Sequence, residues 1–443
     1  MTHPIADLAV QYLRDLIRFD TSNPPGNELP AAQYIADVLR QEGLESVVLE
    51  SSPGRGNVVV RLHGSGSDGA LLLMSHLDVV PADPKEWEHP PFAAEIADGY
   101  IWGRGAVDTK QLTAMELAIL VHLKREGMPL RRDIVLAATA DEEMGGTQGM
   151  GWLVQNHPDL VECQYAINEG GGFGTQVGGR SFYVCQTGEK GVCWMKLTAR
   201  GTPGHGSLPR ANNAVAKLCA AVARLAQARL PMHRTATVER LVRHLAATQK
   251  FPASTLLPLV LNPLFEGPIL RQAEKQSEIA AVLRATLHNT VSPTMLQAGQ
   301  KANVIPSEAS ATVDGRLMPG QRPEDLLREI RPYIGDEIEV EILGQSQPYE
   351  SDPASPLFDL FQQVLNEHDP DCTLAPFLVP GATDGRFLAE KGVKVYGFSP
   401  AKQEPGWAVL ELAHARNERI SLANVEFGTK VLYDVVRRFC AER

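Results

Sequence analysis

The segment Leu71–Pro81, LLLMSHLDVVP, places the tightest constraint on this chain. It is an uncharged run that ends in a histidine and, two residues on, an aspartate. A short apolar run of this kind, bounded by loop signals, is a buried strand. The side-chain period of a strand is two, so His76 and Asp78 face the same side. Taken alone, a surface His–Asp contact would explain the pair as simply. The same event recurs three times downstream, however. The hairpin-like IADGYIWGRGA leads into VDTK with Asp108, DIVLAATA leads into DEEMGG with Glu142 and Glu143, and QYAIN leads into EGGG with Glu169. Ligands of open α/β sheets gather outside the carboxyl ends of the strands. Several acids meeting a histidine there would repel one another without a cation, so the pattern points to a metal site.

Length and composition limit the alternatives. A chain of 443 residues suggests two or three domains, and 44% hydrophobic with 21% charged residues excludes a disordered protein. The net charge of −11, with no long basic run, argues against a nucleic-acid partner. No apolar run reaches the ~18 residues that suggest a membrane span. The opening MTHPIADLAVQYLRDLIRFD carries Asp7, Arg14, Asp15 and Arg18, and reads as an amphipathic helix rather than a signal peptide. The six cysteines, at 163, 185, 193, 219, 372 and 440, have neither C-x-x-C spacing nor a short disulfide framework. They read as buried thiols in a reducing compartment, which places the protein in the cytoplasm.

Along the chain, helical periodicity covers 4–18, 30–43 and Lys110–Gly127. SVVLES, GNVVVRL and DIVLAATA read as strands, and Asp98-Gly99 as the turn of a hairpin. Strands alternating with helices predict an α/β fold with a mixed, mostly parallel sheet. The character shifts near 185–200, where polar alternation suggests a half-exposed strand. Residues 231–300 yield no clear pattern, and later segments restore strand–helix alternation up to a final helix at about 421–440. This organisation predicts a catalytic domain built from 1–190 and 346–443, with an α+β satellite domain inserted at 191–345.

The motifs SHLDVVP, GRGAVDTK, DEEMGG, NEGGG, GHGS, NVIP, GATDGR and AHARNE occur here in that order. In this the chain resembles the co-catalytic di-zinc exopeptidases and amidohydrolases: aminoacylase, carboxypeptidase G, carboxypeptidase S and succinyl-diaminopimelate desuccinylase. The resemblance covers most of the chain and is weakest at about 231–290. It implies a zinc-exopeptidase-like catalytic domain with a lid or dimerisation domain. It also implies two zinc ions per subunit, with manganese or cobalt as substitutes. His76 would bind one metal, Asp108 would bridge both, Glu169 would complete the first, and Glu143 with His414 would complete the second. Three protein ligands and an open position mark a catalytic rather than a structural site. Glu142 would be the general base toward a water shared by the metals, and Asp78 would orient His76.

The resemblance further implies that His205, in GTPGHGS, stabilises the developing oxyanion, often from the partner subunit. Asn303 and Arg316 would hold the substrate carboxylate, with Gly381, Thr383 and Arg386 of PGATDGRF as further substrate contacts. A strand-end arginine also commonly makes a structural ion pair. Two departures stand out. Gln111-Leu112 follows Lys110 where many members carry Gly-Gly, and the first-metal acid is Glu169 rather than an aspartate, as in the aminoacylase-, desuccinylase- and carboxypeptidase S-like branches. The expected function is hydrolysis of an amide bond in N-acyl amino acids or small peptides with a free carboxylate, by a homodimer without membrane or nucleic-acid partners. Dipeptidase or desuccinylase specificity is the alternative on the same site. A di-metal phosphoesterase and a non-catalytic binding homologue are the rivals from other classes.

Overall fold

The computed structural model describes residues 4–66, 68–273, 279–407 and 409–442. Met1–His3 of the expected amphipathic helix lie outside the described residues, and the helix itself spans Pro4–Ile17. The apolar runs found in the sequence form the middle of a ten-stranded mixed sheet. Its main path runs Ser46–Glu50, Gly56–Leu62, Ile134–Thr139, Leu71–His76, Tyr165–Asn168, Lys394–Gly397, Arg180–Glu189 and Tyr349–Glu350. The four strands from Ile134–Thr139 to Lys394–Gly397 are mutually parallel. Leu71–His76 therefore has a parallel neighbour on each side, and all six of its residues are buried. Strands covered on both faces are apolar throughout rather than alternating, which is why this one reads as a continuous run.

The strand's two faces feed two cores. Leu71 and Leu73 join Leu13, Leu117 and Val431 beneath the helices Pro4–Ile17, Lys110–Glu126 and Leu422–Cys440. Leu72 and Met74 join Val135, Leu153 and Val395 on the other face, where the helix Met150–Asn156 packs. This helix–sheet–helix sandwich leaves the carboxyl ends of three parallel strands side by side. The helix Lys110–Glu126 ends where expected, on Gly127 with φ of 62°. The hairpin turn at Asp98-Gly99 has φ of 50° and 80°, the doubly left-handed geometry of a tight two-residue loop.

Within 191–345 a separate antiparallel sheet orders its strands Thr290–Ala298, Glu308–Leu317, Gly191–Arg200 and Ile338–Gln345. The helices Ala214–Ala226 and Pro323–Ile334 cover one face through Met195, Leu197, Val313, Leu218 and Ile330. The half-exposed strand expected at 185–200 is in fact two strands, Arg180–Glu189 in the large sheet and Gly191–Arg200 in the small one. Lys190, between them, is buried and donates from Nζ to the carbonyls of Ala285 and His288. The segment that showed no pattern in the sequence contains helices Ala236–Ala247, Ala253–Leu256, Pro263–Ala273 and Ile279–Ala285. Two of the four are too short to show a period, and prolines 252, 258, 263 and 268 interrupt the stretch.

Candidate metal centre

Three parallel strand ends and two loops converge on one cluster. His76 closes its strand; Glu142 and Glu143 lie on a single 3₁₀ turn just past Thr139; Glu169 follows Asn168. Asp108 precedes the helix that starts at Lys110, and its peptide bond to Thr109 is cis. His414 arrives from the far end of the chain, after the short helix Val409–Leu412, with φ of 61°.

The ligand atoms form two triads, His76–Asp108–Glu169 and Asp108–Glu143–His414, each with its atoms within 4.8 Å of one another. Asp108 belongs to both. Its Oδ1 lies 3.2 Å from His76 Nε2, and its Oδ2 lies 3.1 Å from His414 Nε2. Glu169 Oε1 lies 3.7 Å from His76 Nε2, and Glu143 Oε2 lies 3.0 Å from His414 Nε2. Glu142 belongs to neither triad, with its Oε2 4.0 Å from His76 Nε2. Although Glu142 and Glu143 are adjacent, the 3₁₀ turn sends their carboxylates to different places.

The electrostatics show what the donor set calls for. Burial alone would lower the His76 imidazole, but the charges of Glu169, Asp108 and Asp78 drive it well above its usual value. Hydrogen bonds to Asp108 and Glu143 lift His414 to about 10. Burial, then repulsion from Glu169, pushes the Glu142 carboxyl well up, and burial also raises Glu169. Without a cation the cluster would have to take up protons to balance its acids. A divalent cation in each triad supplies the same positive charge, and two imidazoles with three carboxylates form a donor set for a first-row metal. The tautomer fits too: His76 Nδ1 donates to the Asp78 carbonyl oxygen at 2.9 Å, which leaves Nε2 free to face Asp108.

Asp78 differs from the expectation that its carboxylate orients His76. The backbone carbonyl takes the closer contact, while the carboxylate sits 3.5 Å from Nδ1. That carboxylate accepts the N–H groups of Glu142 and Glu143 at 3.0 and 3.1 Å, and Asn23 Nδ2 at 2.9 Å. The strand ends at His76, and Asp78, beyond it, spends its side chain on the next loop.

Other groups were not apparent in the sequence. Glu418 is fully buried and accepts from the backbone N–H groups of Gly105, Val107 and Asp108 at 3.1, 2.7 and 3.1 Å. Arg104 pairs with it at 2.7 Å and also donates to the carbonyls of Ala415 and His414. This pair ties the Asp108 loop to the His414 loop. Its signal lies in the motifs themselves, as the arginine of GRGAVDTK and the last residue of AHARNE. Asp384, also buried, accepts from Thr139 Oγ1 at 3.3 Å, and burial raises its carboxyl to about 7. Arg55, bound to Glu28 and Asp141 at 2.9 and 3.0 Å, braces the acid loop from behind, and no motif marks it.

The remaining expected residues fall into two places. Thr383 and Arg386 are in the large unit. Thr383 donates from N and Oγ1 to Glu189 Oε2, and Arg386 donates to the carbonyls of Thr383 and Gly145. Gly381 stands in the bend after the strand Thr373–Val379. His205 and Asn303 meet at the short ribbon formed by Gly204–His205 and Val304–Ile305, where Gly206 N donates to Asn303 O at 2.8 Å. His205 is exposed, and its Nδ1 contacts Ser207 Oγ at 2.7 Å. Arg316 lies on the strand Glu308–Leu317 and makes a two-pronged pair with Asp314, at 2.8 and 3.1 Å. Among the described residues, no hydrogen bond or ion pair links His205, Asn303 or Arg316 to the acidic cluster.

Comparison with known proteins agrees with this geometry. The chain is 32% identical over 410 residues to N-fatty-acyl-amino acid synthase/hydrolase PM20D1 of Xenopus tropicalis, covering 89% of this chain and 77% of that one. It is 30% identical over 445 residues to human aminoacylase-1, covering 97% and 95%. The fold matches a metallo-carboxypeptidase, Sso-CP2 of Sulfolobus solfataricus, with a TM-score of 0.71 at 19% identity over 97% of this chain and 98% of that one. The profile of peptidase family M20/M25/M40 matches residues 72–438, a span that takes in every member of both triads, and the chain belongs to that family of metal-dependent hydrolases of amide bonds.

Proposed function

We propose that this protein hydrolyses the amide bond of N-acyl amino acids or small peptides with a free carboxylate, and that His76, Asp108, Glu143, Glu169 and His414 hold a pair of cations. The observation that carries this reading is the shared aspartate: each Asp108 oxygen faces a different histidine, while Glu142 stands outside both triads. Zinc suits this thiolate-free set of histidines and carboxylates, with manganese or cobalt as alternatives. Once bound, the metals supply Lewis acidity that polarises the scissile carbonyl and makes water acidic enough to attack at neutral pH.

The rest of the reaction falls to side chains. Glu142 accepts the proton of the attacking water and delivers it to the leaving nitrogen; burial and repulsion from Glu169 hold its carboxyl above the usual value. Asp78 fixes the loop that carries Glu142 by gripping its backbone. His205 would donate toward the oxyanion, and Asn303 with Arg316 would hold the substrate carboxylate after Asp314 is displaced from the guanidinium. Thr383, Gly381 and Arg386 would shape the wall opposite.

In this reading, 1–190 with 346–443 form the catalytic domain and 191–345 the lid and dimerisation domain. A homodimer is supported by the small sheet's uncovered face, where Trp194 and Met295 are 47% and 53% exposed, on the side away from its helices. A cytoplasmic setting is supported by six free cysteines. Among the described residues, no helix is long and apolar enough to cross a membrane.

The test is a hydrolysis panel with zinc-, manganese- and cobalt-loaded protein. It compares N-acetyl amino acids, N-long-acyl amino acids, dipeptides and a phosphate ester, with Glu142→Ala alongside. Turnover of amides by the wild type alone supports the reading. Hydrolysis of the phosphate ester only, or full turnover by the variant, rejects it.

A further inference from the structure

A cavity of ≈150 Å³ opens directly beside the two triads, with Asp108 and Glu169 at its rim. Its other walls are largely apolar. Met115 comes from the helix that begins just after Asp108, Phe173 from the turn just after Glu169, and Trp407 and Ile420 from the segments that flank His414. Met115, Trp407 and Ile420 are almost fully buried, at 1%, 3% and 2% exposure. The indole N–H of Trp407 already donates to the Arg419 carbonyl at 2.7 Å, so the ring presents only carbon to the cavity. Gln111 is the longest uncharged polar side chain in the lining; its amide N–H is spent on Val107 O, while its buried Oε1 has no partner among the described residues. Three of the five candidate ligands, Asp108, Glu169 and His414, therefore come from the same short stretches of chain as the walls of this pocket.

A largely apolar cavity of about this volume has room for a guest the size of benzene. The hydrolase reading divides the substrate at the scissile amide. The carboxylate-bearing half is assigned to Asn303 and Arg316, both within 191–345, whereas every residue lining this pocket lies between 107 and 173 or between 399 and 420. We propose, resting on that reading, that the pocket receives the acyl half of the substrate and selects an apolar group of about four to six carbons or one aromatic ring. Gln111 and Val409 are two of its walls.

The test holds the amino acid constant and varies the acyl group through acetyl, butanoyl, hexanoyl, benzoyl and dodecanoyl. In parallel, binding of toluene to metal-free and metal-loaded protein is followed by saturation-transfer NMR. kcat/KM is expected to rise roughly fourfold per added methylene up to hexanoyl or benzoyl and no further for dodecanoyl. Gln111→Ala should move the optimum to longer chains. Val409→Trp should collapse the hexanoyl-to-acetyl ratio and abolish toluene binding. A flat acyl series, or a preference that follows the amino-acid side chain instead, overturns the assignment. So does wild-type protein that binds no toluene, or binds it as Val409→Trp does. If every amide is inert while toluene binds wild type alone, the hydrolase reading fails and the apolar pocket stands.

Discussion

Asp108 is held so that its two oxygens diverge, and it cannot do this by itself. Its backbone N–H is bound by Glu418, whose carboxylate also caps Gly105 and Val107 and is neutralised by Arg104. Groups that orient metal ligands typically contribute 10- to 100-fold in affinity. Glu418→Gln should therefore weaken cation binding by roughly that factor in a chelator competition, with far-UV circular dichroism unchanged. Arg104→Met should be worse for stability. It strands a buried carboxylate, at a cost of about 3–5 kcal/mol, measurable by denaturant unfolding. Glu142 makes the opposite prediction. It lies outside both triads, so Glu142→Gln should keep its full metal content by elemental analysis while kcat falls roughly 10²–10⁴-fold.

At the scale of elements, the helix Lys110–Glu126 does two jobs. Its first turn carries the Asp108 loop, and its buried side supports the His76 strand, in part through Glu116. That carboxyl accepts from Ser75 Oγ at 2.8 Å, and burial raises it well above its usual value. Below about pH 4.5 the group is neutral whether the chain is folded or not, so it has no effect on the pH dependence of stability. As pH rises, the unfolded chain ionises while the folded one stays protonated, and the wild type loses up to about 1.4 kcal/mol per pH unit until the folded value is passed. Glu116→Gln removes this loss. Its melting temperature should gain on that of the wild type as pH rises above 5, until the folded value is passed, with no gain at pH 4. Equal pH profiles for the two proteins would mean that Glu116 is not buried as an acid.

For the molecule as a whole, the cluster joins residues 76 and 414 across most of the chain, so cations held there would be coupled to overall stability. A ligand at 100 times its Kd adds about 2.7 kcal/mol per site. Removing metal with a chelator should lower the melting temperature and abolish turnover, and adding back zinc should restore both. If the melting temperature did not move, the two parts of the cluster would not be held together by cations.

Much of this was legible in the sequence because the signals are local. A buried parallel strand must be apolar throughout, and a reactive acid at its end must break that run abruptly, so His76, Glu142, Glu143 and Glu169 announce themselves in order. The hairpin at Asp98-Gly99 and the helix stop at Gly127 are equally local, since each needs a left-handed backbone that few residues accept. Other features depend on where distant segments meet. The Asp78 carboxylate, just beyond the strand that ends at His76, binds the Glu142–Glu143 backbone more closely than the imidazole. Arg104 meets Glu418, 314 residues away, and Arg55 meets Asp141, 86 residues away. No periodicity encodes such partners, because a buried charge is selected by whatever lies opposite it in space. The sequence by itself determined the strand ends and the types of side chain gathered there. The tertiary structure decided which oxygen faces which histidine, because that depends on three-dimensional distances set by the packing of the helices on the sheet.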